Sequence, residues 1–198
     1  MLIHARYLVD RVRHPRSRAD EVASVRHRLV AQASADAATG EEVRVAQRLR
    51  VLRESLLAAL ADVRSCSSCA SGYPRPHGRW DGGHCCGGPT SGVFTDDELS
   101  SLRLGGTTPA RLTPANGDHA GCAFRGPTGC SLDARDRPNV CVRYTCRGLE
   151  KELTERGDRK AISVLQEELR RELARFVSLR AARLDAAAAA AAAPLTRV

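Results

Sequence analysis

Residues 41–64 read EEVRVAQRLRVLRESLLAALADVR. Within them Val45, Leu49, Leu52, Leu56, Leu60 and Val63 recur in steps of three and four. At 3.6 residues per turn these steps put all six on one face, so the spacing predicts a helix from about Glu41 to Arg64. Upstream, Ser17-Arg18-Ala19-Asp20 offers a helix start, and Val22, Val25 and Leu29 repeat behind it. Ala38-Thr39-Gly40 breaks the pattern between the two segments. Two amphipathic helices across a short connection imply an N-terminal helical hairpin over residues 1–64. At the other end the chain turns helical again from Pro138, with a break expected at Gly157-Asp158. Ile162, Leu165, Leu169, Leu173 and Phe176 mark a long C-terminal helix within residues 150–184. Residues 185–198, with the alanine run and Pro194, read as a fraying, flexible tail. The expected fold class is mainly α.

Residues 65–149 have a different texture. They hold 14 of the 16 glycines, 7 of the 9 prolines, all 8 cysteines and 5 of the 7 aromatic residues. Gly and Pro interrupt regular elements, so this middle module is expected to be loop-rich. A loop-rich stretch of this length holds a shape only if something cross-links it. One helix is expected inside it: Thr95 as N-cap and Glu98 three residues on form a capping box, Leu99 and Leu102 supply the apolar side, and Gly105-Gly106 ends it.

The cross-link is expected to be a metal. The cysteines fall into four groups: Cys66 and Cys69 in a C-x-x-C; Cys85 and Cys86 beside His84 and two glycines; Cys122 and Cys130; Cys141 and Cys146. C-x-x-C lets two sulfurs converge on one ion through a tight turn, although a redox dithiol uses the same spacing. Cys141 and Cys146 on one regular helix would point roughly 140° apart, so either the helix is irregular there or the two sulfurs do different jobs. Buried core cysteines usually scatter through helices and strands, whereas these sit in pairs beside Gly and Pro. All eight are therefore candidate ligands. The ion is zinc in tetrahedral thiolate sites, or iron, including an iron–sulfur cluster, in one centre or two. His84 is the histidine placed to substitute for a sulfur; His77 and His119 read as surface residues.

Composition narrows the function classes. Aromatic residues make up only 4% of the chain, so a core must rest on Leu, Val and Ala. The formal charge is +8, almost entirely from arginine, with Lys151 and Lys160 the only lysines. That excess is spread along the chain and interleaved with acids, unlike a nucleic-acid face. The N-terminal stretch has no apolar core of the signal-peptide kind, because Asp10 and Arg11 interrupt it. A cytoplasmic location is expected, where thiols stay reduced and clustered cysteines favour metal over disulfides.

Cys66-x-x-Cys69, Cys85-Cys86, Gly121-Cys122-Ala123-Phe124, Gly129-Cys130-Ser131-Leu132 and Arg137-Pro138-x-x-Cys141 together resemble the YkgJ-type cysteine-cluster proteins, also described as the CxxCxxCC zinc- or iron-chelating domain. The likeness spans roughly residues 66–147, with a longer step between Cys69 and Cys85 than that pattern has. It implies clustered thiolate ligands. Through relatives similar to flagellin lysine methylases, it also implies an alternative function as an iron–sulfur enzyme modifying a protein or peptide by methyl transfer. A third reading is an Arg-rich nucleic-acid-associated protein with structural zinc. The flanking helices suit a protein partner. Arg137 is expected to set the turn into the Pro138 helix or to pair with Asp133 or Asp136, and Tyr144 to reach a ligand sulfur or join the core.

Overall fold

The helices begin where side chains replace missing backbone bonds. In the computed structural model, which describes residue 12 and residues 17–35, 37–65, 90–115, 122–126 and 129–192, helix α1 runs Arg18–Ala35. Ser17 Oγ accepts from Asp20 N at 3.1 Å and donates to the Asp20 carboxylate at 2.7 Å. Helix α2, Gly40–Ala59, opens on a full capping box: Thr39 Oγ1 accepts from Glu42 N, and the Glu42 carboxylate accepts from Thr39 N. Thr39 therefore both ends the break and starts the next helix. Helix α2 stops at Ala59, short of Arg64, yet Val63 in the following turn is still buried with the stripe.

Beyond residue 89 come α3 (Thr90–Val93) and α4 (Asp96–Leu104). They are followed by a 3-10 turn at Pro109–Arg111, a short antiparallel pair of β1 (Arg125–Gly126) and β2 (Gly129–Cys130), and a second 3-10 turn at Ala134–Asp136. The chain finishes with α5 (Asn139–Arg143), α6 (Arg147–Arg156) and α7 (Arg159–Ala192). The protein is mainly helical with a long C-terminal helix, as the periodicity predicts. Pro138 caps α5 from outside its first turn.

The expected break falls at Gly157, whose φ of +78° is left-handed; its N–H and that of Asp158 close the end of α6 on Thr154 and Leu153 carbonyls. The segment of residues 150–184 therefore divides, as expected, into the end of α6 and the long α7. The tail expected from residue 185 is helical as far as Ala192, because alanine has the highest intrinsic helix propensity and nothing in the run breaks the helix before Pro194. Residues 193–198 lie outside the described part. No helix among the described residues is long and apolar enough to cross a membrane.

The two N-terminal helices follow one another, but each seats its stripe on a partner from further along the chain. Helix α2 lies antiparallel along α7, burying Val45, Leu49, Leu52 and Leu56 with Ile162, Leu169 and Phe176; Val142, Leu149 and Leu153 close this first core. Ion pairs flank the contact: Arg175 with Glu41 at 2.7 Å, Arg48 with Glu168, and Arg183 with both oxygens of the fully buried Glu42. Helix α1 packs on α4 instead. There Val22, Val25 and Leu29 meet Leu99, Leu102, Phe94, Leu112, Ala123, Phe124 and Leu132 in a second core. Helix α4 also packs against α2, so it separates the two cores. At its end a Cβ on Gly105 would lie 3.1 Å from Ser101 O, a tight approach to the last turn of α4 itself, and in ordinary contact, 3.4 Å, with Ala46 O of α2.

Candidate metal centre

Cys130 lies in the β1–β2 pair, and Cys122 lies just before it. Cys130 faces Arg125 across the pair, and the Cys122 carbonyl accepts from Arg125 N at 3.0 Å. Cys122 is buried and Cys130 half-buried, both against the second core. This short pair has too few ladder bonds to stand alone, and its surroundings supply the rest. Ser131 N donates to Phe124 O, and Ser131 Oγ bonds Thr113 O at 2.8 Å. The Phe124 ring packs on Phe94 with centroids 5.4 Å apart.

Helix α1 clamps the same loops by their backbone. Arg18 donates to the carbonyls of Ala115 and Arg125, and Arg26 Nε donates to Leu112 O at 3.0 Å. Thr90, at the start of α3, donates to Glu21 and accepts from Ala123 N at 2.9 Å, so residue 90 is fastened beside Cys122.

Cys141 and Cys146 are not on one helix. Cys141 lies in α5, which ends at Arg143, and Cys146 is the N-cap of α6; its Sγ accepts from Leu149 N at 3.4 Å. The connector between them is held by Gln166 of α7, which donates to Arg143 O and Thr145 Oγ1. The irregularity expected from the spacing is real, and it frees the two sulfurs from the helical angle. Both are half-buried.

Ser65 sits on the same side. Glu152 of α6 accepts from Arg64 N at 2.7 Å and Ser65 N at 2.8 Å, and these two donors hold its carboxyl below the usual range. A Cβ on Gly148 would be 3.8 Å from Ser65 Cβ and 3.9 Å from Cys146 Sγ, so the residue preceding Cys66 is fastened beside Cys146.

Cys66, Cys69, Cys85 and Cys86, with His77, His84 and His119, lie outside the described residues. Among the described residues no three His, Cys, Asp or Glu side chains converge as a metal-binding set. Arg137 sets the turn, donating from Nε to Leu132 O at 3.0 Å, while Asp133 and Asp136 are taken by Arg111 at 2.8 Å each. Tyr144 is half-buried at the end of α5.

The sequence reading missed a buried polar cluster at the junction of α2, α4 and α5. Thr95 caps α4 by accepting from Glu98 N, but the Glu98 carboxylate does not return to Thr95. It accepts from Asn139 N at 3.1 Å and Asn139 Nδ2 at 2.8 Å. Burial pushes the Glu98 pKa up to about 7, against the opposing pull of Asn139, Arg53 and Arg143. Arg53 is fully buried, and its pKa is pushed down to about 10 by the same desolvation. The signal was present: Arg53 stands four residues after Leu49 and three before Leu56, a charge inside the apolar stripe. Comparison of the chain with protein-family models, curated proteins and solved structures gives no match.

Proposed function

We propose that this is a metal-binding protein that holds zinc or iron, including iron as an iron–sulfur cluster, through Cys66, Cys69, Cys85, Cys86, Cys122, Cys130, Cys141 and Cys146. One observation carries the reading. The stretch 66–89, which contains four of these cysteines, is fastened at both ends beside the others: Ser65 next to Cys146, and Thr90 on Ala123 next to Cys122. Two clamps from different helices, Glu152 and Glu21 with Thr90, hold these points.

The donor set fits a borderline or soft cation. Thiolates suit zinc and iron, and Cys146 Sγ already accepts a hydrogen bond from Leu149 N. On this reading the protein belongs in a reducing compartment, the cytoplasm. A bound ion would cross-link the second core and the α5–α6 connector, supplying rigidity that the short strands lack.

Anaerobic purification followed by metal and inorganic-sulfide analysis tests this. Tightly held zinc, iron, or iron with sulfide is expected, and Cys122→Ser or Cys146→Ser lowers metal content and melting temperature together. Reduced, folded protein with no bound metal refutes it.

A further inference from the structure

Arg53 is the largest fully buried side chain among the described residues, and its bonding is incomplete. Its Nη1 donates to Asn139 Oδ1 at 3.4 Å. Its Nε and Nη2 have no hydrogen-bond partner among the described residues. These two nitrogens form one edge of the planar guanidinium, where two N–H groups point in parallel and grip a two-acceptor group side-on. Leaving both donors of a buried cation empty is costly, and native interiors rarely do so.

The neighbouring carboxylates do not fill that edge. Both Glu98 oxygens are bonded by Asn139, whose amide stands between Glu98 and Arg53. Asp136, also buried, is bonded by Thr107 Oγ1 and Arg111 Nε at 2.8 Å each. Arg53 is thus a buried cation whose nearby acids are committed elsewhere.

We propose that the Nε/Nη2 edge of Arg53, at the junction of α2, α4 and α5, is a binding site for a small monovalent anion of chloride or nitrate size. A water molecule would satisfy the geometry alone; an anion would also add to the attraction that Glu98, Asp136 and Glu54 already exert on the cation. The site is separate from the cysteines and does not rest on the metal reading.

The ionisation of Glu98 supports this, since a carboxyl with a pKa pushed up to about 7 loses its charge near neutrality and leaves Arg53 more in need of a counter-ion. The groups acting on this pair are Arg143 on α5, Arg50 and Glu54 on α2, and Asp136 in the 3-10 turn. Anion affinity is therefore expected to fall by up to about tenfold between pH 6 and pH 8 as Glu98 ionises.

The test uses the full chain, with chloride or nitrate replacing glutamate at constant ionic strength. A saturable rise in melting temperature is expected in the wild type. In Glu98→Gln, which keeps the shape and removes the charge, the same rise becomes independent of pH. Crystals grown in bromide should show anomalous scattering at the Arg53 edge, a readout that requires no variant to fold. A chloride response that does not saturate, or a bromide-grown crystal with only water at that edge, overturns the proposal.

Discussion

The first core and the second core bury side chains of the same kinds, yet they are built differently. In the first, α2 and α7 supply most of the residues, and the facing stripes of two long helices account for the packing. In the second, α1 and α4 cover only part of the surface; Leu112, Ala123, Phe124 and Leu132 come from turns and bends beside the short strands. Long helices satisfy their own backbone, so the first core is held by burial and by the ion pairs that flank it. The turns cannot do this, and the structure spends Arg18, Arg26, Thr90 and Ser131 on their carbonyls and amides. The lesson is that equal burial can rest on unequal support; of the described cysteines, Cys122 and Cys130 lie on the less supported second core and Cys146 on the first.

The sharpest break of this comparison pairs two phenylalanines. Phe176→Ala, in the first core, is expected to cost ~3–5 kcal/mol whether or not a chelator is present. On the proposed metal-binding reading, Phe124→Ala should cost a similar amount with the ion bound, and much less once chelation has loosened its loop. Equal chelator effects on the two variants, measured by denaturant midpoints, would show that both cores have the same support.

The seam between the cores gives the next effect. Folding raises the Glu98 pKa from an ordinary 4.5 to about 7, so between those values only the folded protein keeps the proton. Stability from this group is fully present below pH 4.5 and is lost as pH rises through about 7. The loss amounts to at most about 3 kcal/mol, and Glu98→Gln should flatten it. Urea midpoints at pH 5 and pH 8 for both proteins measure the difference.

Smaller still, Arg18→Ala should cost ~1–2 kcal/mol by releasing two carbonyls of the cysteine-bearing turns. Hydrogen exchange should quicken at the Ala123 amide and stay unchanged in the middle of α7. The smallest effect belongs to the exposed end of α7, which lies in neither core: Ala189→Gly is expected to cost under about 1 kcal/mol of local helix. A slight loss of far-UV ellipticity with an unmoved melting temperature is the signature.

The stripes of α2 and α7 were legible because 3.6-residue periodicity is a local property: Leu49, Leu52, Leu56, Ile162, Leu169 and Phe176 are all buried as their spacing requires. The helix start at Ser17 and the stop at Gly157 were legible for the same reason. Partner choice was not, since nothing in the spacing of Val22, Val25 and Leu29 names α4 as the surface they meet. Glu98 illustrates the limit. Its place three residues after Thr95 suggested a local bond, but Asn139, 41 residues on, offered two donors in a buried setting and won. Of the candidate site, the separate orientation of Cys141 and Cys146 could be anticipated from spacing; the clamps by Glu152 and Arg18 depend on tertiary contacts that no local pattern encodes.

The pairing of α2 with α7 also has a consequence for synthesis. Glu42 and its cation Arg183 are 141 positions apart, and Glu41 and Arg175 are 134 apart. During translation the oily side of α2 therefore leaves the ribosome long before its cover exists. The nascent chain has to keep that surface from sticking to other molecules until α7 has been made.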